Sequence, residues 1–104
     1  MSLEAEVLWL DERRVVSLRE LVELSGLGET ELLELVHCGA IPARELQGSG
    51  YSFEAHVITV ARTACRLRDD FELDTRGLSV ALRLLERVRD LEEEVARLRA
   101  ELPG

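Results

Sequence analysis

Few side chains in this 104-residue sequence have the types and spacing that support catalysis or metal binding. His37 and Cys38 are adjacent, so a regular helix does not aim both at one metal in the usual i,i+4 arrangement. His56 has no ligand partner near it in sequence, whereas zinc sites draw their ligands from recognisable spacings. The sequence also lacks a nucleophile elbow, a phosphate-binding loop and a paired Cys/His motif. We therefore expect no enzyme, no metal site and no cofactor.

Carboxylates carry the clearest electrostatic signal. A predicted helix from about residue 29 to 38 has Glu29, Glu31 and Glu34 as its charged side chains, and it contains no Arg or Lys. Phosphate binding needs basic side chains, so these carboxylates repel nucleic acid and suit a basic protein partner instead. We expect no direct binding of nucleic acid. A second acidic group that we assign to partner binding is Asp69, Asp70 and Asp74.

Two short predicted helices position the glutamates. Ser17 and Glu20 have the spacing of a capping box, so the first helix starts at Ser17 and ends at Gly26. A tight connection leads to the second helix, which ends before Gly39. Two helices joined by such a turn form a helix-turn-helix pattern. Ahead of them, residues 6–10 predict a short strand, followed by a turn and a second short strand at Val15-Val16.

The segment after the helix-turn-helix predicts a wing. Extended pieces at residues 44–47 and 51–53 flank a Gly-Ser-Gly turn, which indicates a β-hairpin. A third helix is predicted from about Glu54 to Phe71, and a last helix from about Gly77 to Leu102. We therefore divide the chain into a winged helix-turn-helix unit, residues 1–76, and a C-terminal helix, residues 77–104, within a single domain.

The last helix carries a seven-residue apolar repeat that indicates a coiled coil. At its start, residues 78–85 have a wider apolar face that suits packing on the same domain. Further along, the apolar stripe narrows to a seam flanked by Arg and Glu, which favours a homodimer. The flanking charges accommodate both a parallel and an antiparallel pair. The predicted interface residues are Leu84, Val88, Leu91, Val95, Leu98 and Leu102.

Composition is typical of a folded cytoplasmic domain. The chain has a net charge of −8 and is 46% apolar, and its acidic excess is concentrated in the first half. No apolar run approaches the roughly 20 residues needed to span a bilayer, and the acidic start is unlike a signal peptide. Two cysteines without CxxC spacing are typical of a reducing compartment. These features predict a cytoplasmic location and no membrane partner.

The order of elements resembles the MerR-type winged helix-turn-helix, and several motifs resemble the CbpM-type chaperone modulator family. The stretches that match are Glu31-Leu32 with Val36, Pro42–Glu45, Phe53-Glu54 with His56, and Arg62 with Arg66–Arg68. The most specific match is Leu73-Asp74, followed by Gly77-Leu78, then Val80-Ala81-Leu82 with Leu84. The N-terminal segment and Thr75-Arg76 depart from the family pattern.

The resemblance implies a mainly α fold: a MerR-like winged helix-turn-helix with a small hairpin and a long C-terminal coiled-coil helix. It also implies a cytoplasmic dimer that binds the J-domain of a DnaJ/CbpA-like co-chaperone and inhibits its co-chaperone and DNA-binding activities. Two alternatives remain open. A MerR-type transcriptional regulator would need the cations Arg62, Arg66 and Arg68, and a plain dimerisation module would need neither partner.

Overall fold

The computed structural model describes residues 14–48 and 50–103. The strand and turn predicted before Arg14 lie outside these residues. The described part is mainly helical, with a small sheet, as predicted. In chain order its elements are β1 Val15–Ser17, α1 Leu18–Ser25, α2 Glu29–His37, β2 Arg44–Glu45, β3 Tyr51–Glu54, α3 His56–Phe71 and α4 Thr75–Glu101.

Local capping sets the limits of α1, as the sequence predicts. The backbone N–H of Glu20 donates to Ser17 Oγ at 3.1 Å, and that of Ser17 donates to Glu20 Oε1 at 3.0 Å. These reciprocal bonds satisfy two N–H groups that have no partner within the helix. At the other end Gly26 adopts φ +88°, the left-handed conformation that a side chain disfavours. The turn into α2 is therefore short.

The predicted hairpin is present and belongs to a three-stranded antiparallel sheet of order β1-β3-β2. The prediction of extended chain at Val15-Val16 is confirmed, and the structure adds its partner: Val16 lies opposite Phe53 in β3. Both side chains are buried, so the sheet closes one side of the core. Glu54 remains in this pairing, which is why α3 begins at His56 rather than at Glu54.

The helices α1 to α4 enclose the core together with the sheet. Its largest fully buried side chains include Leu21, Leu32, Leu35, Phe53 and Leu78. Helix α4 begins two residues earlier than predicted because the Asp74 carboxylate caps it, accepting from the N–H of Gly77 at 2.8 Å.

Helix α4 changes character along its length. Leu78 and Leu82 are buried in the domain core, as the wide apolar face at residues 78–85 predicts, whereas Leu85 is half-exposed. From Leu84 onward the described residues leave the apolar stripe of the helix uncovered. The side chains of the predicted seam are between 43% and 69% exposed: Leu84, Val88, Leu91, Val95, Leu98 and Leu102.

We expect Glu20→Gln to reduce stability in a pH-dependent way. The N–H of Ser17, with further help from its hydroxyl and from Arg14, holds the pKa of Glu20 below its ordinary value of 4.5. A lowered folded-state pKa stabilises the protein above the ordinary pKa, and this stabilisation is lost as pH falls through the folded-state pKa. The loss at pH 7 should be on the order of 0.5 kcal/mol, because the carboxylate is partly exposed and solvent screens it.

Urea unfolding of the wild type and the variant at pH 7 and pH 3 measures this effect. The difference between their free energies of unfolding should shrink at pH 3. An equal difference at both pH values would contradict the role assigned to the ionised carboxylate.

Candidate partner-binding site

The three glutamates of α2 point in different directions because the core fixes the rotation of the helix. Leu32 and Leu35 are fully buried, so they define the inner face of α2. Glu29 and Glu31 are then about 200° apart around the helix axis, and Glu34 is next to Glu31 on the outer side. Glu29 lines a groove beside α1 and the hairpin, whereas Glu34 is exposed to solvent.

Glu31 faces α3 and is neutralised there by an arginine. Its Oε1 accepts from Arg68 Nη1 at 2.5 Å and from the N–H of Gly28 at 3.0 Å. The side chains of Arg68 and Glu31 are only 27% and 32% exposed. Glu31 therefore joins α2 to α3 and caps its own helix. Its charge is already paired with that of Arg68 within the chain.

Arg68 also links Asp69 to Glu31. Arg68 Nε donates to Asp69 Oδ1 at 3.0 Å, and this bond, together with the charge of Glu31, raises the pKa of Arg68. Arg68 Nη2 also lies 3.5 Å from Cys65 Sγ, and burial raises the pKa of that thiol. The two predicted acidic groups thus meet at one point, with a cation between them.

The other two aspartates of the second group differ in role. Asp70 is exposed on the last turns of α3, and Asp74 is occupied as the N-cap of α4. The carboxylates placed for an outside cation are thus Glu29, Glu34 and Asp70, while Glu31, Asp69 and Asp74 already hold contacts within the chain.

The arginines of α3, which a DNA-binding function would need, are partly committed to the fold. Arg62 Nε donates to the carbonyl of Leu24 at 2.9 Å, at the end of α1. Arg68 is bound to Glu31 and Asp69, while Arg66 is exposed. Arg62 and Arg68 therefore bind groups at the ends of neighbouring helices and on α3 itself, which leaves Arg66 as the exposed cation of α3.

The C-terminal end of α2 is tied to α4 and to the hairpin. Arg83 of α4 donates to the carbonyl of Cys38, close to the end of the helix dipole. The hydrogen bond between the Cys38 thiol and Ser79 holds the pKa of Cys38 below its ordinary value. His37 Nε2 lies 3.3 Å from the Tyr51 hydroxyl. Hydrogen bonds therefore hold the C-terminal end of α2 in place, as Glu31 does near its N-terminal end.

Sequence reasoning found the carboxylates but missed their partner. Arg68 lies 37 residues from Glu31, and no local spacing signals their contact. Within residues 14–48 and 50–103, no group of His, Cys, Asp and Glu side chains is arranged to hold a metal ion. No helix in this part of the chain is long and apolar enough to cross a membrane.

Comparison with known proteins gives a consistent result. Residues 16–100 match the family model described as MerR HTH family regulatory protein. The chain is 37% identical over 78 residues to the chaperone modulatory protein CbpM of Escherichia coli O139:H28, covering 75% of this chain and 77% of the relative. The CbpM of Shigella boydii serotype 18 is similar to the same degree, with 37% identity over 78 residues and the same coverage of 75% and 77%.

We expect Arg68→Met to lower the free energy of unfolding by about 1–2 kcal/mol. The substitution keeps an apolar stem but leaves the carboxylates of Glu31 and Asp69 without their cation. The loss of stability for a half-buried ion pair lies between the losses for exposed and for buried pairs. Arg66→Met is the matched control, because Arg66 lies two residues away on the same helix and is exposed. Urea unfolding of both variants measures the effect. Equal losses would show that the guanidinium of Arg68 does not join the helices.

Proposed function

Because the chain belongs to the CbpM-type branch of the MerR-like helix-turn-helix family, we propose that it is a cytoplasmic chaperone modulator. It binds the J-domain of a DnaJ/CbpA-like co-chaperone and inhibits the co-chaperone and DNA-binding activities of that partner. The relatives named chaperone modulatory protein support the general role. The J-domain as partner is the finer step, and it depends on the charge of α2.

One observation carries the proposal: a helix-turn-helix whose second helix exposes carboxylates where DNA reading requires cations. Glu29 and Glu34 are both exposed, and α2 has no Arg or Lys to offset them. A helix that reads DNA presents basic and amide groups to phosphates and base edges. The same architecture with this charge suits a basic protein surface, and a J-domain presents a basic helix.

Complementary charge would act mainly on the rate of encounter. The chain has a net charge of −8, so its field attracts a basic domain over distances limited by ionic strength. Contacts between exposed charges contribute about 0.2–1 kcal/mol each to the binding free energy. The affinity therefore depends on several such pairs rather than on one. We assign the exposed Glu29, Glu34 and Asp70 to direct contact, and Glu31, Asp69 and Asp74 to its edges.

The proposed active species is a homodimer formed by the C-terminal segment, residues 77–104, with residues 1–76 as the partner-binding unit. Support comes from the exposed apolar seam, which ends far from the domain core. Apolar side chains repeated at the a and d positions are buried when two such helices form a coiled coil. The seam is then the surface that joins two copies, and the exposed carboxylates of Glu29, Glu34 and Asp70 stay free for the J-domain.

We expect Glu29→Arg with Glu34→Arg to weaken J-domain binding about tenfold, because repulsion adds to the lost attraction. The association rate should fall, and affinity should depend less on salt than in the wild type. Glu31 is left unchanged because its ion pair with Arg68 supports the fold. Titration of the purified J-domain, followed by calorimetry and stopped-flow mixing, measures both quantities.

The matched control for this test is Asp90→Arg with Glu93→Arg. These residues are exposed, they lie on α4 away from α2, and their reversal changes the net charge equally. This variant should bind nearly as the wild type does. A gel shift with duplex DNA at two salt concentrations tests the alternative function. A tight, sequence-specific DNA complex together with no J-domain binding would favour the transcriptional regulator and overturn the proposal.

We expect Leu91→Glu with Leu98→Glu to convert the dimer to a monomer, because each chain would bury two carboxylates in an apolar seam. The fold of the domain should survive, since both side chains are exposed in the single chain. Sedimentation velocity measures the oligomeric state, and circular dichroism reports the helix content.

Phe71→Glu with Val80→Glu is the control for the seam variant. It adds the same two carboxylates at exposed apolar positions outside the seam. This control should remain dimeric. A dimeric seam variant would show that residues 84–102 do not form the interface.

A further inference from the structure

The exposed seam of α4 has a regular composition along the helix. Counting the heptad from Val88 as an a position, the seam has valine at two successive a positions and leucine at each of its three d positions: Val88 and Val95, then Leu84, Leu91 and Leu98. These side chains are exposed in the single chain, so a second helix running in either direction covers them. The residues beside the seam therefore decide the direction of that helix.

Four charged residues flank the seam in its second half. Arg87 and Glu94 occupy g positions, and Glu92 and Arg99 occupy e positions. All four side chains are exposed, and within the described part of the chain none of them forms an ion pair. Side chains at e and g border the interface of a coiled coil, where they set the orientation of the partner helix.

In a parallel, in-register pair all of these charges are matched. A g residue then faces the e residue that lies five positions further along the partner helix. Arg87 meets the partner's Glu92, and Glu94 meets the partner's Arg99. The two-fold symmetry repeats each contact, so a parallel dimer has four attractive contacts and no like-charge contact among these residues.

An antiparallel pair that covers the same seam is matched less well. Its dyad lies near Glu93, and e positions face e positions while g positions face g positions. Arg87 then meets the partner's Glu101 twice by symmetry, but Glu92 and Glu94 each face their own copy. Sliding the helices by one heptad changes these contacts, but it moves one end of the seam out of the pairing. The parallel order thus combines full coverage of the seam with complementary charge.

We propose that α4 pairs with a second copy of itself in parallel and in register. This inference rests on the homodimer proposed above and adds its orientation. Valine at a with leucine at d is typical of parallel two-stranded coiled coils, which agrees with the pattern of charges. The two winged helix-turn-helix units then lie at the same end of the coiled coil, so one dimer presents both of its partner-binding surfaces at that end.

Disulfide crosslinking tests the orientation directly. In a chain that carries Cys38→Ser and Cys65→Ala, Leu98→Cys should form a covalent dimer under mild oxidation, because parallel helices bring equivalent d positions within disulfide reach. In the antiparallel pair, Leu98 lies opposite the partner's Val88, so the two cysteines are about ten residues, or roughly 15 Å, apart along the axis. Non-reducing electrophoresis measures the covalent dimer.

Glu93→Cys in the same background is the matched control for crosslinking. Glu93 is exposed at an f position, on the side of the helix away from the seam. This variant should remain unlinked at the same protein concentration. Circular dichroism verifies that both variants keep the helix content of the wild type.

A charge exchange tests the register. Arg87→Glu should raise the dissociation constant of the dimer about tenfold, because it places a carboxylate against the partner's Glu92 at two symmetric contacts. Adding Glu92→Arg should restore the constant to within about threefold of the wild type. Adding Glu86→Arg, the control at an exposed f position, should not restore it. Sedimentation equilibrium measures the constants.

The outcomes separate this inference from the homodimer itself. A dimeric Leu98→Cys variant that forms no disulfide would overturn the parallel order, and a lack of rescue by Glu92→Arg would overturn the register, while the homodimer would stand in both cases. A monomeric wild type would overturn the homodimer and this inference together, and would leave the seam for a helix of another protein.

Discussion

The burial of Leu32 and Leu35 decides what the rest of the molecule can present to a partner. These two side chains seat α2 in the core with a single rotation, and that rotation assigns each glutamate its surroundings. Glu29 is directed to the groove, Glu31 to Arg68, and Glu34 to water. A shift of one residue in register would rotate the helix by about 100° and turn at least one glutamate toward the core. The packing of two leucines therefore sets the electrostatics of the surface.

The arginines serve different purposes on α3 and on α4. On α3, Arg62 and Arg68 bind a helix end and two carboxylates, and so they stabilise contacts between helices. The part of α4 beyond Val88 extends past the core that the described residues form, and its charges flank an apolar stripe instead. The architecture that other proteins use to bind DNA is thus stabilised here by arginines that bind neighbouring helices. Its exposed surface carries more acidic than basic side chains.

Features that arise from neighbouring residues were predictable, and those that arise from folding were not. The capping box at Ser17, the stop at Gly26 and the heptad seam are local patterns, because backbone geometry fixes which residues meet. The pairing of β1 with β3 and the contact of Arg68 with Glu31 join residues far apart in sequence. The sequence therefore predicted which carboxylates form the site, but it did not predict which of them are exposed and which are bound within the chain.

The two exposed surfaces differ in the kind of partner that their chemistry accepts. The seam of α4 is apolar at every a and d position, so an identical helix is complementary to it. A closed dimer buries these side chains and leaves no second seam exposed. The surface that carries the exposed Glu29, Glu34 and Asp70 is not complementary to itself, because a second copy would bring carboxylates against carboxylates. In the proposed dimer the two surfaces do not compete, because the seam buries the apolar stripe of α4 and leaves the exposed carboxylates of each protomer accessible. Dimerisation would strengthen the field that attracts a basic domain, while the affinity for each J-domain would still depend on the contacts that a single protomer makes.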